Sequence, residues 1–487
     1  MNMLLNSMKQ ASNFTHTENG AITHKTTESA LLDMFAMGGA MRQRSVGDVT
    51  LMFKKAYQEN PVYALKCLFY LRDVRGGQGE RRFFRECMKW LAKNDKAAAQ
   101  RNLQYVAEFG RWDDLYCFVG TSLEENAFKI MKEQFILDLN CKAPSLLAKW
   151  LHSENATSKE NAKLGALTCQ YFGYSPRQYR KHLSTLRERI RVLERLMSQN
   201  RWNEIEFDKI PSKAGLKYKN AFARRDIIKA KYEKFAKDEN TKVNAEVLNP
   251  VDIAGRIFGR GYYAESFSEI DRLMFQKYWD NLKDYYGGRE ERGIAVIDVS
   301  GSMSGQPMNA AVSMGAYIAE RGRGPFQNHF ITFSNSPRLV EFEGVDITDK
   351  FLRARRADWG MNTNIEATFN LLLNTARKNK LPQSEMPERI YIFSDMEFDR
   401  CTGYHTEQGM NTLLENIAQK WRRYGYELPS LIFWNLNARQ ENIPAIGSRF
   451  SYVSGFSMNM VENILSGKDG YSLMLDKLDS ERYSVIS

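Results

Sequence analysis

The sequence predicts two architectures in one chain, an α-helical repeat domain followed by a doubly wound α/β domain. Before residue 290, apolar residues recur at spacings of three and four, and strand-like alternation is nearly absent. After Gly287-Gly288, short continuous apolar runs alternate with amphipathic segments, which is the pattern of a mostly parallel sheet covered on both faces. The 487 residues leave room for about two to four domains.

The N-terminal half is predicted to be a stack of short paired helices. Residues 1–25 are polar and are predicted to be a flexible tail, and residues 26–288 are predicted to form the helical-repeat domain. Pro61 suits a first helical turn, and Gly76-Gly77 ends the helix that follows it. Because no predicted helix is long, an α-solenoid is favoured over a single bundle. The helical segments are LLDMFAM, VGDVTLMFKKAYQ, PVYALKCLFYLRDV, ERRFFRECMKWLAKN, AAAQRNLQYVAEFG, LEENAFKIMKEQFILDL, PSLLAKWLH and SPRQYRKHLSTLRERIRVLERLMSQ.

Residues 289–487 are predicted to be the doubly wound, Rossmann-like domain. Its strands are GIAVIDVS, NHFITFS, RLVEF, RIYIFSD, LPSLIFWNL and RFSYVSG. Its helices include MNAAVSMGAYIAERG, ATFNLLLNTARKN and a segment around residues 472–478. Buried strands that alternate with amphipathic helices require helices on both faces of the sheet.

Positive charge is concentrated in the helical half. The chain has 69 Lys and Arg against 58 Asp and Glu, a formal net charge of +11. Residues 1–290 hold 48 basic and 35 acidic residues, whereas the remainder holds 21 and 23. Residues 176–235 alone hold 17 basic and 7 acidic residues. This asymmetry indicates a polyanionic partner for the helical half.

Several classes of protein are disfavoured by what the sequence lacks. No apolar run of about 18 residues occurs, and the first residues do not have a signal-peptide layout, so neither a membrane span nor secretion is expected. Neither H-E-x-x-H nor G-x-x-x-x-G-K-[ST] is present. The six cysteines include no C-x-x-C pair, which predicts reduced thiols in a cytoplasmic protein. They are Cys67, Cys87, Cys117, Cys141, Cys169 and Cys401.

Five oxygen-bearing side chains are predicted to meet at one edge of the sheet. Asp298, Ser300 and Ser302 directly follow the first buried strand, Thr363 precedes a helix, and Asp395 closes the strand RIYIFS. Three hydroxyls and two carboxylates suit Mg²⁺ or another hard divalent cation, with an open position for an acidic group of a partner. The alternative is that these oxygens cap loops and helix N-termini without a metal. A serine-hydrolase role is disfavoured because the motif contains no histidine.

These five positions resemble the metal-ion-dependent adhesion motif of the von Willebrand factor A family, D-x-S-x-S with a later Thr and a later Asp. Asn364 departs from the Asp that this family often has after the Thr. The helical half joined to such a domain resembles the TROVE-module, or Ro autoantigen, family. The segments that carry this second resemblance are CLFYLRDVRGGQGERRFFRECMKWL, EFGRWDDLY, YSPRQYRKHLSTLR and FDKIPSKAGLKYKNAFARRD.

The resemblance implies a HEAT-like ring of helical repeats closed by the A domain. It further implies a noncatalytic protein that binds small noncoding or misfolded RNA on the basic outer surface of the ring. Two alternatives remain. One is an adaptor whose bound Mg²⁺ captures an acidic group of a partner such as an ATPase remodeller. The other is a nuclease that uses the metal, disfavoured because two-metal nucleases need clustered carboxylates.

The residues themselves independently suggest an RNA-binding surface between positions 176 and 235. Cations release counterions from phosphates, and aromatic faces can stack on unpaired bases. On a helix, Arg177, Arg180 and Lys181 share one face. The interleaved aromatic residues are Tyr179, Trp202, Tyr218 and Phe222. The alternative is a solvated basic face whose aromatic residues belong to the core. The predicted RNA-binding residues are Arg177, Arg180, Lys181, His182, Arg187, Lys213, Lys217, Lys219, Arg224 and Arg225.

Two further clusters have a functional and a structural interpretation. The Arg72-Asp73 pair before Gly76-Gly77 could form a phosphate loop, but a helix end with ion pairs to neighbouring helices is favoured. The Asp113-Asp114 pair could bind a metal, but capping of a helix N-terminus is favoured.

Overall fold

The structure, a computed structural model, describes Met8 and residues 13–259, 267–356, 363–400 and 412–487. It has a helical N-terminal part followed by a mixed, mostly parallel sheet, so the predicted fold class is confirmed. Two compact units result, but they are divided differently from the predicted 26–288 and 289–487. The sheet unit contains residues 1–67 and 245–480, and the helical unit contains residues 68–244 and 481–487.

The sheet unit is built on six strands in the order β5-β4-β3-β6-β7-β8. All neighbouring strands are parallel except the antiparallel edge pair β4 and β5. The six predicted strand segments each form a strand. The parallel strands are largely buried, as expected inside a covered sheet, whereas the antiparallel edge strand (Leu339–Glu341) is mostly exposed. The strands are β3 (Gly293–Ile297), β4 (His329–Thr332), β5 (Leu339–Glu341), β6 (Arg389–Ser394), β7 (Ser430–Asn435) and β8 (Phe450–Ser454).

The sheet unit also contains helices from both parts of its sequence. Ahead of the helical unit come α1 (Ala30–Met37) and α2 (Val46–Glu59), and α3 (Pro61–Arg72) crosses the boundary at residue 67. Between the helical unit and the sheet come α14 (Pro250–Ile257) and α15 (Glu269–Asp280). The helices that follow β3 are α16 (Gln306–Arg321), α17 (Ile347–Arg355), α18 (Ile365–Lys378), α19 (Leu413–Arg423), α20 (Val461–Ile464) and α21 (Gly470–Leu478).

Close packing of α1 against β8 explains why the N-terminal helices belong to the sheet unit. The Ser454 hydroxyl donates to the Phe35 carbonyl at 3.0 Å and accepts from the Gly39 amide at 2.9 Å. A β-carbon at Gly39 would lie 2.7 Å from the Ser454 carbonyl oxygen, so only glycine permits this approach. Helical periodicity reveals that α1 has an apolar face, but not which surface covers it.

Part of the predicted flexible tail is an ordered hairpin of the sheet unit. Strands β1 (Phe14–His16) and β2 (Ile22–His24) pair antiparallel, and the amide of His24 donates to the Ile443 carbonyl at 3.0 Å. The backbone groups of these short strands are therefore satisfied partly by the α/β unit, which local sequence composition does not reveal.

The helical unit consists of short helices joined by turns. The segment predicted as one helix from residue 175 is broken at Ile190–Val192, where Arg191 has a positive φ of 49°. The helices that follow α3 are α4 (Arg81–Asn94), α5 (Lys96–Asn102), α6 (Val106–Phe109), α7 (Glu124–Asn140), α8 (Leu147–Trp150), α9 (Lys159–Phe172), α10 (Pro176–Arg189), α11 (Leu193–Ser198), α12 (Ser212–Arg224) and α13 (Asp226–Lys237).

Ion pairs of buried carboxylates stabilise this unit. Asp114 accepts from Arg72 at 2.7 Å and from Arg85 at 2.6 Å, and it also caps the turn after Arg111. Asp73 accepts from the Arg482 guanidinium, at 2.7 Å on Oδ1, and from the Tyr483 hydroxyl at 3.0 Å. The structural interpretation of both clusters is therefore supported. Among the described residues, no helix combines the length and the apolar character needed to cross a membrane.

Candidate cation site and candidate nucleic-acid interface

Parallel pairing of β3 and β6 brings the two predicted carboxylates to the same edge of the sheet. Ile297 lies opposite Phe393 in the register, so Asp298 and Asp395 both leave the carboxyl ends of adjacent strands. The Asp298 amide donates to the Phe393 carbonyl at 3.0 Å, which continues the ladder up to the site. This is the position where ligands bind in open parallel sheets.

The loop that carries the D-x-S-x-S motif turns so that its backbone donates to the Asp298 carboxylate. Asp298 Oδ1 accepts from the Ser300 amide at 2.8 Å, and Oδ2 accepts from the Ser394 hydroxyl at 2.6 Å. The Ser300 and Ser302 hydroxyl oxygens are 3.0 Å apart. Three of the five predicted ligands are thus gathered by this loop, and Asp298 itself is fully buried.

Asp395 has one satisfied oxygen and one oxygen without a hydrogen bond. Its Oδ1 accepts from the Glu397 amide at 3.1 Å. Its Oδ2 is buried and, within the described part of the chain, receives no hydrogen bond. The guanidinium of Arg439 lies 3.9 Å from Oδ2. An enclosed carboxylate oxygen without a donor is a site where a cation would be stabilised.

The Thr363 hydroxyl is held by a different set of contacts. Its oxygen lies 2.9 Å from the Glu397 carbonyl and 2.9 Å from Asp399 Oδ1, and it accepts from Asn19 Nδ2 at 2.8 Å. Its contacts with the other predicted ligands are indirect, through Glu397, whose amide reaches Asp395. The residues WGMN that precede Thr363 lie outside the described residues.

Burial and mutual repulsion make this edge electrostatically unfavourable for anions. Desolvation by burial, followed by repulsion from Asp395, raises the pKa of Asp298 to about 7. Desolvation also raises the pKa of Asp395, and it raises the pKa of Glu397 to about 7. A bound cation would relieve both effects. The five residues therefore fit a hard divalent ion by chemistry, with Asp298, Ser300, Ser302, Thr363 and Asp395 as its holders.

The fit depends on hydroxyl oxygens as well as carboxylates. In the described ranges, no group of three or more His, Cys, Asp or Glu side chains is placed to hold a metal ion. Sequence reasoning also missed Glu397, which follows Asp395 by two residues, and Arg439, which comes from the segment after β7. The acidic run SDMEFD was the available signal for Glu397, whereas no local signal pointed to Arg439.

We expect the contribution of Asp298 to the free energy of unfolding, measured in EDTA, to fall as the pH rises from about 4 to about 7. The Asp298 pKa is raised from 3.8 to about 7 in the folded state, so the folded protein binds more protons than the unfolded chain across this window. The stability that protonated Asp298 contributes at low pH is therefore lost as the pH rises toward 7. Urea titrations across the window should show a shallower decline for Asp298→Asn. Equal slopes for wild type and Asp298→Asn, with the exposed Asp280→Asn as control, would contradict this assignment.

The predicted RNA-binding residues divide into exposed cations and residues that stabilise the fold. Along α10, Arg177, Arg180 and Lys181 are exposed as predicted, although Arg180 forms an ion pair with Glu154. The predicted RNA-binding residues on and directly after α12 are exposed or half-buried. They are Lys213, Lys217, Lys219, Arg224 and Arg225. Lys219 also donates to Asn220 at 3.1 Å. A cationic surface is therefore present on α10 and α12.

Most of the interleaved aromatic residues are not placed for stacking on bases. Tyr179, Trp202 and Phe222 are buried in the helical unit, and Tyr218 is half-buried. The His182 ring packs 4.9 Å from that of Tyr174, so it contributes to aromatic packing. The three buried rings therefore agree with the alternative interpretation, in which the aromatic residues belong to the core.

Arg187 is predicted to stabilise the helical unit. Its Nε donates to the Ala148 carbonyl at 2.9 Å, and its Nη2 donates to the Leu151 carbonyl at 2.8 Å. Burial lowers the pKa of its guanidinium. Replacing it by Met should leave these carbonyls unpaired and reduce the free energy of unfolding by about 2 kcal/mol. A denaturant titration measures the loss, with exposed Arg177→Met as the matched control; equal stability of the two variants would contradict this role.

The fold and the site together define a class of protein. An α-helical repeat unit is joined to a Rossmann-like α/β unit that carries an oxygen-rich motif after its first buried strand. The chain belongs to the family described as "Domain of unknown function (DUF2828)", whose model matches residues 17–164 and 144–284. A second family, "Domain of unknown function (DUF7788)", matches residues 292–481.

Two known proteins are similar to this chain, one in sequence and one in structure. The "Uncharacterized protein L728" of Acanthamoeba polyphaga mimivirus is 31% identical over 502 residues, covering 94% of this chain and 85% of that protein. The crystal structure of the Ro (RSR) protein of Deinococcus radiodurans matches with a TM-score of 0.50 and 14% identity, covering 94% of this chain and all of that one. At that identity the match shows a Ro-like fold.

Proposed function

We propose that this chain is a noncatalytic RNA-binding protein similar to Ro, which binds small structured or misfolded noncoding RNA through its helical unit. Its α/β unit would be a von Willebrand factor A domain that binds Mg²⁺ or another hard divalent cation. The free thiols at the described cysteines support a cytoplasmic location.

The observation that carries the RNA proposal is the division of charge between the two units. The helical unit contains 36 basic and 23 acidic residues, whereas the sheet unit contains 33 and 35. All of the net positive charge therefore belongs to one unit. Such an imbalance favours a polyanion, because each phosphate neutralised by Lys or Arg releases condensed counterions.

The position of the exposed cations supports a surface that follows a phosphate backbone. Arg177 and Lys181 are one helical turn apart on α10, and Arg224 lies at the end of α12. Because the rings of Tyr179 and Trp202 are buried, phosphate contacts rather than base stacking would supply most of the affinity. This predicts recognition of RNA shape more than of sequence.

The cation site suits a binding role better than a hydrolytic one. Asp298 and Asp395 would supply the charge, and the hydroxyls of Ser300, Ser302 and Thr363 would complete the oxygen set. A cation neutralised by only two carboxylates stays electron-poor and attracts an acidic group. The proposal of a noncatalytic protein follows from the lack of an assigned nucleophile and base in this motif.

Co-purification and salt titration test the RNA proposal. Protein isolated without nuclease should carry RNA, and sequencing that RNA would identify its class. In filter binding with a structured RNA, affinity should fall about 100-fold or more between 50 and 200 mM salt if several phosphates are contacted. A protein free of RNA, with affinity that is flat across this range, would contradict the proposal.

A second candidate is an adaptor whose cation captures an acidic residue of a protein partner such as an ATPase remodeller. The unsatisfied Asp395 Oδ2 favours it, since that oxygen needs a cation and the cation then offers a free position. Pull-downs with nuclease or EDTA separate the two functions. Partners released by nuclease support RNA binding, and partners released by EDTA support the adaptor.

A further inference from the structure

The tip of the N-terminal hairpin, residues 17–20, lies on the same edge as the candidate cation site. The Thr17 hydroxyl donates to the Phe398 carbonyl at 2.6 Å, and the Arg400 amide donates to the Asn19 carbonyl at 3.2 Å. Gly20 also forms a β-bridge with Asp399. These contacts join the hairpin tip to the chain that leaves β6, only a few residues beyond Asp395.

Asn19 contacts the oxygen that the motif assigns to the cation. Its Nδ2 donates to Thr363 Oγ1 at 2.8 Å and to the Glu397 carbonyl at 2.7 Å. A metal ion and an amide N–H both require a lone pair of an oxygen, and their positive charges repel each other. Thr363 Oγ1 already has three polar neighbours besides its own β-carbon, because the Glu397 carbonyl and Asp399 Oδ1 each lie 2.9 Å away. A cation that binds this oxygen must displace one of the three, and Asn19 is the neighbour that it repels.

Glu18 places a second positive group at the site through Arg439. The Arg439 guanidinium lies 2.5 Å from the Glu18 carboxylate and 3.9 Å from Asp395 Oδ2. The Glu18 amide donates to Glu397 Oε2 at 2.7 Å, which fixes the position of the tip. The Glu18 carboxylate thus holds Arg439 near Asp395, the carboxylate that a cation would need.

We propose that the hairpin tip is a resident cap on the cation site, an inference that rests on the proposed function of that site. In the capped state Asn19 donates a hydrogen bond to the Thr363 hydroxyl, and the Arg439 guanidinium, paired with Glu18, lies beside Asp395. Binding of a divalent cation with all five ligands requires the tip to withdraw. Binding of an acidic partner at that cation is then coupled to the release of residues 17–20, because the two states share the same groups.

Coupling of this kind is reciprocal. If the cation displaces the tip, removing the tip's contacts must increase cation affinity by the same free energy that the contacts supply. The variant Asn19→Ala removes the competing amide and keeps both the Glu18–Arg439 ion pair and the backbone contacts of the hairpin. We expect it to bind Mn²⁺ about tenfold more tightly than the wild type, since the competing capped state is depopulated.

Titration calorimetry with Mn²⁺ on the full chain measures this affinity. His16→Ala, which alters an exposed side chain of the same hairpin, is the matched control and should bind like the wild type. Hydrogen exchange gives an independent readout: saturating Mn²⁺ should accelerate exchange in peptides covering residues 14–24 of the wild type. EDTA should reverse this acceleration.

The outcomes distinguish the cap from the cation site itself. Equal Mn²⁺ affinity in all three proteins, with unchanged exchange of the hairpin, would overturn the cap and leave the cation site intact. Weaker binding by Asn19→Ala would also overturn it, because the tip would then help to hold the ion. Absence of Mn²⁺ binding in all three proteins would overturn the cation site and the cap together.

Discussion

Reversing three exposed charges of the helical unit is expected to weaken RNA binding by about 100-fold at 100 mM salt. The variant Arg177→Glu/Lys181→Glu/Arg224→Glu changes side chains that are exposed on α10 and α12. Each phosphate that is no longer neutralised keeps its condensed counterions, and each new carboxylate repels the RNA backbone. For every such phosphate, the slope of log affinity against log salt should become shallower by about 0.9 on a duplex, or about 0.7 on a single strand.

A matched variant separates this local effect from a change in net charge. Lys54→Glu/Lys378→Glu/Arg423→Glu alters three exposed cations of the sheet unit and lowers the net charge by the same amount. It is expected to weaken filter binding of the same RNA only a few-fold, through long-range electrostatics that salt screens. An equal loss of affinity in both triple variants would contradict an RNA surface on α10 and α12.

Asp73→Ala is expected to lower the free energy of unfolding of the helical unit by about 3 kcal/mol or more. Asp73 is completely buried and accepts hydrogen bonds from Arg482, Tyr483 and the Arg75 amide. Removing the Asp73 carboxylate leaves the Arg482 charge and the Tyr483 hydroxyl without this acceptor, which is costly where the groups are buried. The C-terminal residues 481–487 should then detach from α3 and its neighbours in the helical unit, which hydrogen exchange in peptides ending at residue 487 would detect.

A surface ion pair near the C-terminus provides the control for this stability measurement. Asp476 pairs with Lys468, and both side chains are substantially exposed. Asp476→Ala should change stability by less than about 1 kcal/mol, because exposed pairs gain little in water. Urea titrations that give the same loss of stability for Asp73→Ala and Asp476→Ala would show that the Asp73 contacts do not stabilise the unit.

The local pattern of apolar residues predicts the helices and strands, but it does not predict which of them pack into the same compact unit. The apolar run GIAVIDVS becomes β3 and RIYIFSD becomes β6, because a buried strand needs only a short continuous apolar segment. The helices α1 and α2 were assigned to the helical domain, yet they belong to the sheet unit. Their apolar faces indicate burial without indicating the surface against which they are buried.

For the candidate sites too, local sequence predicts some of the residues, whereas tertiary packing decides the others. Asp298 and Asp395 were found because both follow apolar strands, and parallel pairing brings strand ends together. Arg187 is among the predicted RNA-binding residues, and Trp202 is among the interleaved aromatic residues. Composition does not reveal that the Arg187 guanidinium pairs with backbone carbonyls or that the Trp202 ring is buried. Exposure depends on which helices pack together, which a single segment does not encode.

The sequence by itself determined that this chain combines short amphipathic helices with buried parallel strands, that its positive charge lies in the helical part, and that two carboxylates follow adjacent strands. Only the tertiary structure decided that Asn19 contacts Thr363 and that Arg439 lies near Asp395. It also decided that residues 481–487 belong to the helical unit and which cations are exposed. The reason is physical: periodicity and charge are local properties, whereas contacts between residues hundreds of positions apart arise only when apolar faces find their partners.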